Sequence, residues 1–541
     1  MEATNHQRKG ARLFIAEKPS LGRAIAAALP QPLQKRDGYI EAASGDIVTW
    51  CFGHLLEQVE PHAYDAKYKK WELRDLPILP SNWQLTARKD ANKQLATIAK
   101  LLKRSSNVVH AGDPDREGQL LVDEVLEHCG LSHAQQGRAG RLLINDLNLD
   151  AVKKALASVR SNAEFQALSS SALARSRADW LYGINMTRAF TLLAQRNGHQ
   201  GVLSVGRVQT PVLGLVAHRD TEIANFVSKP FYEVVACIPY EGNDVRATLH
   251  PSEACAAYQD EEGRIVNKAL ADNVIGRIKG AEAKLRKVEH KQSKQAAPLP
   301  FSLSALQIEA AKQFGLSAAA VLTGAQALYE KHKAITYPRS DCRYLPTEHH
   351  REAKSIMQMV AANAPELETQ LAGLDTVRES KAWNDAKVGA HHAIIPTPRK
   401  VGQGALSKSE AKIYALIAQQ YLMQFAEPAL FATACLEFEI SGGKFVAKGQ
   451  TLLEHGWKAL QPTPKVKKVK APDYLPRIKS GTTLTCRRGA IVTKKTKPPK
   501  AFTDATLLQA MTGIGRFVAN VELRKILKET DGLGTEATRA S

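Results

Sequence analysis

At 541 residues the chain is longer than one hydrophobic core can serve, and domain-size priors divide it into roughly three to five bodies. Lys and Arg total 74 against 54 Asp and Glu, a formal net charge of +20 that points to a polyanionic partner. No long uncharged apolar run and no signal-peptide pattern in residues 1–10 is present, which favours nucleic acid over a membrane; a generically basic protein is the plain alternative. Seven scattered cysteines without a Cys-x-x-Cys pair argue against a zinc ribbon and suit a reducing compartment.

In chain order, residues 12–16 read as a buried strand, followed by Glu17-Lys18-Pro19-Ser20 and an alanine-rich helix over residues 21–29 that Ser20 could cap. Strand, polar turn and helix form the unit of a parallel sheet, in which ligands gather at the carboxyl ends of the strands. A second apolar run, Val108-Val109, precedes His110-Ala111-Gly112-Asp113-Pro114-Asp115-Arg116-Glu117-Gly118. If the extended backbone continues, Asp113, Asp115 and Glu117 point the same way. Such crowding is costly without a cation, and hard oxygens suit Mg²⁺. A solvated acidic turn is the alternative.

The pattern turns helical over residues 149–224, with arginines interleaved in Ala172–Tyr182. Residues 231–238 and 246–250 read as strands, 303–425 as mostly helical, and 429–440 as a strand before a hairpin turn at 441–444. Two strand-rich stretches thus flank a helical one, predicting a β domain interrupted by a helical insertion free to swing on two strand-like connections. The basic runs 465–470 and 494–500 read as solvated loops, either contacting phosphates or only aiding solubility.

Within the insertion, residues 304–314 and 317–332 predict a helix pair with Gly315 between them, leading to Ile335-Thr336-Tyr337-Pro338-Arg339-Ser340-Asp341. Pro338 favours an extended Tyr337. A phenol titrates near pKa ~10, so the Arg339 guanidinium is expected to favour phenolate and to brace a phosphate.

Together with Ser204-Val205-Gly206-Arg207-Val208-Gln209-Thr210-Pro211, His391-His392-Ala393-Ile394-Ile395-Pro396-Thr397 and Gly534-Thr535-Glu536-Ala537-Thr538-Arg539, these motifs follow the order seen in type IA DNA topoisomerases. The resemblance runs from about Arg12 to the last residue and is strongest to the bacterial topoisomerase III group. It implies a multidomain ring: a Toprim α/β domain at 11–150, a helical single-strand-groove domain begun at 151–225 and resumed at 491–541, a β-rich hinge domain at 226–300 and 426–490, and a helical domain with the nucleophile at 301–425. Tyr337 would attack single-stranded DNA and become joined to its 5′ phosphate. Glu17 would help protonate the departing 3′ oxygen, Lys18 and Arg339 would steady the phosphate, and His391 would be the active-site histidine. Glu17, Asp113, Asp115 and Glu117 would hold Mg²⁺.

Arg175, Arg177, Arg188, Ser204, Arg207, Gln209 and Arg539 fall in motifs that line the family's groove. Asp179 could equally be an ion-pair partner, Gly206 could matter for backbone geometry, and His392 could be a core histidine. The implied partners are single-stranded, negatively supercoiled or catenated DNA, handled by a monomer in the bacterial cytoplasm and nucleoid, without zinc or a membrane. No Gly-x-x-x-x-Gly-Lys-Ser/Thr loop occurs, in keeping with ATP-independent religation. A Toprim nuclease or primase would not need Tyr337. Family members carry further helices past the last motif, so for a chain ending at Ser541 cleavage is expected to survive more readily than strand passage, a DNA-binding remnant being the other outcome.

Overall fold

The computed structural model describes residues 11–105, 107–389, 391–461, 475–528 and 532–539; the stretch 1–10 and the basic run 465–470 lie outside the described residues. Arg12–Ala16 is a strand at the centre of a seven-stranded sheet. It pairs in parallel with Ile47–Trp50 on one side and with Asn107–Ala111 on the other, and the latter pairs in parallel with Gly140–Arg141. The period-two alternation sorts its side chains. Leu13 and Ile15 pack with Ile98, Val122 and Leu126, while Phe14 and Ala16 pack with Leu21, Ala24 and Ile25 of the helix Pro19–Ala28. Helices therefore cover both faces, as a parallel sheet requires.

Three local expectations are corrected. The helix after the first strand starts at Pro19 with Lys18 as its extended N-cap, and Ser20 makes no capping bond, because proline already supplies the φ of a first helical residue. The second strand stops at Ala111, and a helix runs over Arg116–His128 with Asp115 as N-cap. Asp113, Asp115 and Glu117 thus sit on a turn and a first helical turn, where alternation no longer applies. The first sheet also takes an edge strand, Arg160–Ser161, from beyond residue 150; two residues are too few to show periodicity.

A second seven-stranded sheet is wholly antiparallel and mixes two distant parts of the chain. Pro230–Tyr240 pairs with Asn243–His250 and with Arg488–Lys495, so the β part continues past residue 490. Glu282–Gln295 pairs along nearly its whole length with Ala429–Ile440, and Ser441 and Gly442 turn the chain into Gly443–Glu454 with left-handed φ values of 48° and 77°. The chain leaves this sheet along one strand and returns along its neighbour, so the insertion hangs on two adjacent antiparallel strands.

The insertion contains the helices Leu303–Phe314, Ala318–Glu330, Ala353–Asn363 and Lys408–Leu422. Ser302 and Ser317 cap the first two, and Gly315 ends the first with φ 67°. Much of 334–407 is irregular where helix was expected, because bridges at Phe301–Ile394 and Ile335–Pro396 hold the chain extended. One continuous apolar cluster joins Ala16, Leu147 and Val152 of the first body to Leu306, Tyr329 and Tyr337 of the insertion, which is therefore closed onto the first sheet. The long helix Gln166–Arg196 and the helices Gln209–Ala224 and Asp504–Thr512 complete the frame. Among the described residues, no helix is long and apolar enough to cross a membrane.

Phe438 and Phe445 face each other across the hairpin and are both buried in the core of the second sheet. Phe438→Ala is expected to cost that body about 3–5 kcal/mol, read as an earlier denaturant transition, with the first α/β body unchanged.

Candidate active site

Parallel pairing aligns Ala16 with Ala111, so the two strands end side by side and the residues after them meet. The Asp113 amide donates to Glu17 Oε2 at 3.1 Å, and Lys18 Nζ lies 2.9 Å from Asp113 Oδ2. Asp115 spends one oxygen as a helix cap, accepting from the Gly118 amide at 2.6 Å. Glu117, one turn along, faces Arg175 at 3.0 Å. Helix N-termini begin directly after both acidic loops, and their positive ends offset part of the carboxylate charge.

This closeness depends on two glycines. A Cβ at Gly118 would sit 2.6 Å from both the Asp113 carbonyl oxygen and Glu17 Oε2, and one at Gly112 would sit 2.2 Å from the Gly118 carbonyl oxygen. The loop is braced from behind by Arg141, which is fully buried. Its guanidinium donates to the carbonyls of Gly112, Asp113 and Leu142 and to Gln119 Oε1, all at 2.7–2.8 Å. His110 accepts from the Gly112 amide through Nδ1, so Nε2 carries the proton to the Gln119 carbonyl. Burial, then Arg141, pushes its pKa down to about 3 and keeps it neutral. These braces were not identified from the sequence. The available signal was an arginine beginning an otherwise apolar run, Arg141-Leu142-Leu143-Ile144, since a buried arginine must be paired.

From the insertion, Tyr337 reaches this cluster. Its hydroxyl donates to the second oxygen of Asp115 at 3.0 Å, and its amide donates to the Asn145 carbonyl at 2.9 Å. The ring stacks on His391 at 5.0 Å and meets Tyr329 edge-on at 5.8 Å. The expectation that Arg339 favours phenolate is overturned. Burial and then the charges of Asp113, Asp115 and Glu17 raise the phenol well above its ordinary value, outweighing the opposing Arg339. Tyr337 rests as a neutral phenol beside an acceptor.

The same crowding acts on Glu17: burial, then Asp113, and then Asp115 against the opposing charge of Lys18, raise its pKa to about 8. A cavity of about 650 Å³ opens here, bordered by Glu17, Asp115, Arg339 and His391. Among the described residues, Arg339 Nε and His391 Nε2 are buried without hydrogen-bond partners, while His391 Nδ1 lies 3.4 Å from Asp341. Oxygen ligands under mutual repulsion match Mg²⁺ in kind. Among the described residues no three potential ligand side chains form a ready-made cage, which fits an ion that binds one or two carboxylates and completes its shell with water and phosphate.

The expected groove residues divide into two sets. Arg175, Asp179 and Arg207 form a chain of ion pairs, Arg207 Nε lying 2.6 Å from Asp179, and Gln209 donates to Ser204 at 2.8 Å, all on partly exposed surface. Gly206 has an ordinary φ, and an added Cβ would meet only the Gln209 side chain, at 3.0–3.2 Å. Arg177 lies over Trp83 at 5.2 Å. Arg188 and Arg539 are instead buried. Arg188 donates to the Tyr68 carbonyl beneath Trp71, and Arg539 bridges Glu536 and Ser304. Both arginines therefore hold the scaffold in this state, where direct groove contacts were expected. His392 is a buried core histidine whose Nδ1 bonds the Ala393 carbonyl. Gly118→Ala is expected to reduce the reaction of Tyr337 with a DNA phosphate roughly a hundredfold in single-turnover assays, by displacing the acidic loop, with little change in DNA affinity.

Comparison with known proteins agrees with this arrangement. Residues 12–147 match the Toprim domain model and residues 163–541 match the bacterial family model described as DNA topoisomerase. The chain is 59% identical over 533 residues to DNA topoisomerase 3 of Vibrio cholerae, covering 98% of this chain and 82% of that protein. It is 55% identical over 531 residues to DNA topoisomerase 3 of Salmonella typhimurium, covering 98% and 81%. The fold is shared with full-length topoisomerase I of Thermotoga maritima, with TM-score 0.62 at 19% identity over 98% of this chain and 77% of that one. A Toprim sheet whose acids receive a tyrosine from an inserted body, matched along nearly the whole chain, establishes that the protein belongs to the bacterial type IA DNA topoisomerase family.

Proposed function

We propose that the chain cuts one strand of DNA through Tyr337, passes another strand through the gap and reseals it, relaxing negative supercoils and separating linked DNA without ATP. The observation that carries this reading is the Tyr337 hydroxyl at 3.0 Å from Asp115, a contact between two bodies that are joined through a β hinge. A hydrolase or primase has no use for a buried phenol in that position.

In the proposed reaction, Tyr337 Oη bonds the phosphorus as its proton passes to Asp115. The bond from phosphorus to the 3′ oxygen breaks, and that oxygen takes a proton from Glu17, which its raised pKa keeps protonated near neutrality. Arg339 and His391 border the space where the phosphate would lie, with Lys18 behind them on Asp113, and Arg339 Nε, without a hydrogen-bond partner among the described residues, is a ready donor to it. The phosphotyrosine conserves the energy of the phosphodiester, so the reverse reaction reseals the strand. Opening requires the insertion to move on Glu282–Gln295 and Ala429–Ile440, breaking the Tyr337–Asp115 and Tyr337–Asn145 contacts. Asp113 and Asp115, with Glu17 and Glu117 nearby, would hold Mg²⁺, which when bound neutralises phosphate charge and fixes its geometry. Arg175, Arg177, Ser204, Arg207 and Gln209 would guide the single strand. We further propose that the enzyme acts as a monomer on DNA in the bacterial cytoplasm.

With end-labelled single-stranded DNA and a denaturing quench, wild-type protein is expected to yield a covalent adduct carrying the downstream fragment, and Tyr337→Phe none. Binding without adduct in the wild type overturns the reading. In the absence of Mg²⁺, adduct formation should decline as pH rises through about 8, where Glu17 loses its proton, and Glu17→Gln should remove that limb of the profile.

A further inference from the structure

The helix Gln166–Arg196 starts beside the reaction centre and carries Arg175 there; Arg188 lies roughly 20 Å further along its axis. An irregular segment over residues 61–83, rich in lysine and aromatic side chains, lies along this helix. Near the reaction centre its Trp83 stands edge-on to Trp180 at 5.5 Å, with Arg177 over the Trp83 ring. At the far end Arg188 lies 5.1 Å from the centroid of the half-buried Trp71. A second cavity, of about 560 Å³, opens there between Lys70, Trp71, Arg74 and the helix end at Gln195 and Arg196. None of its lining residues belongs to the reaction centre.

Arg188 is the informative residue. It is only 6% exposed, its Nη1 donates to the Tyr68 carbonyl at 2.9 Å, and its Nε has no hydrogen-bond partner among the described residues. Burying a guanidinium is costly, and this one is spent on fixing the backbone at Tyr68 and one side of the Trp71 indole. The result is a rigid aromatic platform beside exposed cations. Lys70 and Arg74 are held on either side of Glu72, at 3.0 and 2.6 Å, and Arg196 adds charge from the helix. An immobilised indole with basic groups around it has the chemistry of a single-strand step: the base stacks, and cations receive the flanking phosphates.

We propose that Trp71, with Lys70, Arg74 and Arg196, forms an outer subsite that stacks a nucleotide of the same single strand held at the reaction centre. The subsite rests on the strand-cleaving reading above. It lies roughly 20 Å along the helix from Arg175, a span of several nucleotides.

The test compares full-chain protein on two oligonucleotides, one of about 6 nucleotides spanning the cleavage position and one of about 20 extended at both ends. Dissociation constants and covalent adduct are measured on each. Trp71→Ala should weaken the long oligonucleotide roughly five- to hundredfold, leaving affinity and adduct on the short one unchanged. Trp71→Phe should retain most of the long-strand advantage. Lys70→Ala with Arg74→Ala should reduce the dependence of log Kd on log salt by about 1.4 for the long strand only. Wild-type affinity of Trp71→Ala for the long strand overturns the subsite, as does an equal loss on both lengths, which would mark Trp71 as scaffold. Failure of the wild type to form adduct on either oligonucleotide would instead overturn the cleavage reading beneath it.

Discussion

Carboxylate repulsion organises this molecule. Glu17, Asp113, Asp115 and Glu117 are drawn to one end of a sheet because two parallel strands end there, and each acid is assigned a different counterweight. Asp113 has Lys18, Asp115 has the amide end of a helix and the Tyr337 hydroxyl, and Glu117 has Arg175. Glu17 receives an amide, but burial and the charge of Asp113 outweigh the nearby Lys18 ammonium, and it responds by keeping its proton. The site thus holds both a carboxylate acceptor and a protonated acid at neutral pH, the pair that a reversible transesterification needs. Arg141 and the two glycines make this crowding possible by fixing backbone where a side chain would force the acids apart.

The second constraint is mechanical. Tyr337 belongs to a body inserted between neighbouring strands, so its position over the acids is set by the second sheet and by a closed apolar contact with the first body. Polar links across that contact are dispersed: Tyr337 with Asp115 at 3.0 Å and with the Asn145 carbonyl at 2.9 Å, Lys18 with Glu330 at 3.6 Å, Lys154 with Glu348 at 3.0 Å, and Asn148 with the Lys333 carbonyl at 3.4 Å. An exposed pair such as Lys154 with Glu348 contributes little. A gate that must open during turnover is better held by several such contacts than by one deep ion pair, whose rupture would leave an uncompensated buried charge.

The sequence made the strands and helices that carry the chemistry legible because they obey strong local rules. Arg12–Ala16 is uniformly apolar after its first residue, Ser302 and Ser317 cap their helices, and Ala429–Ile440 ends at a serine-glycine turn. The acids and the tyrosine were legible as motifs, but their geometry was not. Alternation along an imagined strand suggested three carboxylates on one face, whereas a helix cap diverts Asp115 and a helical turn carries Glu117 away. The phenol's environment could not be read from Arg339 two residues on, since the carboxylates that oppose it lie 220 residues or more earlier in the chain. Arg141 and Arg188 were opaque for the same reason: their partners are backbone carbonyls, which leave no mark in a sequence.

A net charge of +20 does not by itself name the DNA contacts. Most arginines in the groove motifs already have partners: Arg175 with Glu117, Arg207 with Asp179, and Arg539 with Glu536. A phosphate that enters must therefore exchange with a carboxylate already in place. Such exchange returns less affinity than filling a bare cation would, yet it occurs only where the phosphate matches the geometry the carboxylate has prepared. An enzyme that has to release and recapture strands gains from that arrangement. On the proposed strand path, counterion release would set a modest, salt-sensitive hold, while aromatic faces braced by buried or half-buried arginines, Trp83 by Arg177 and Trp71 by Arg188, would offer a sequence-tolerant grip that salt weakens less.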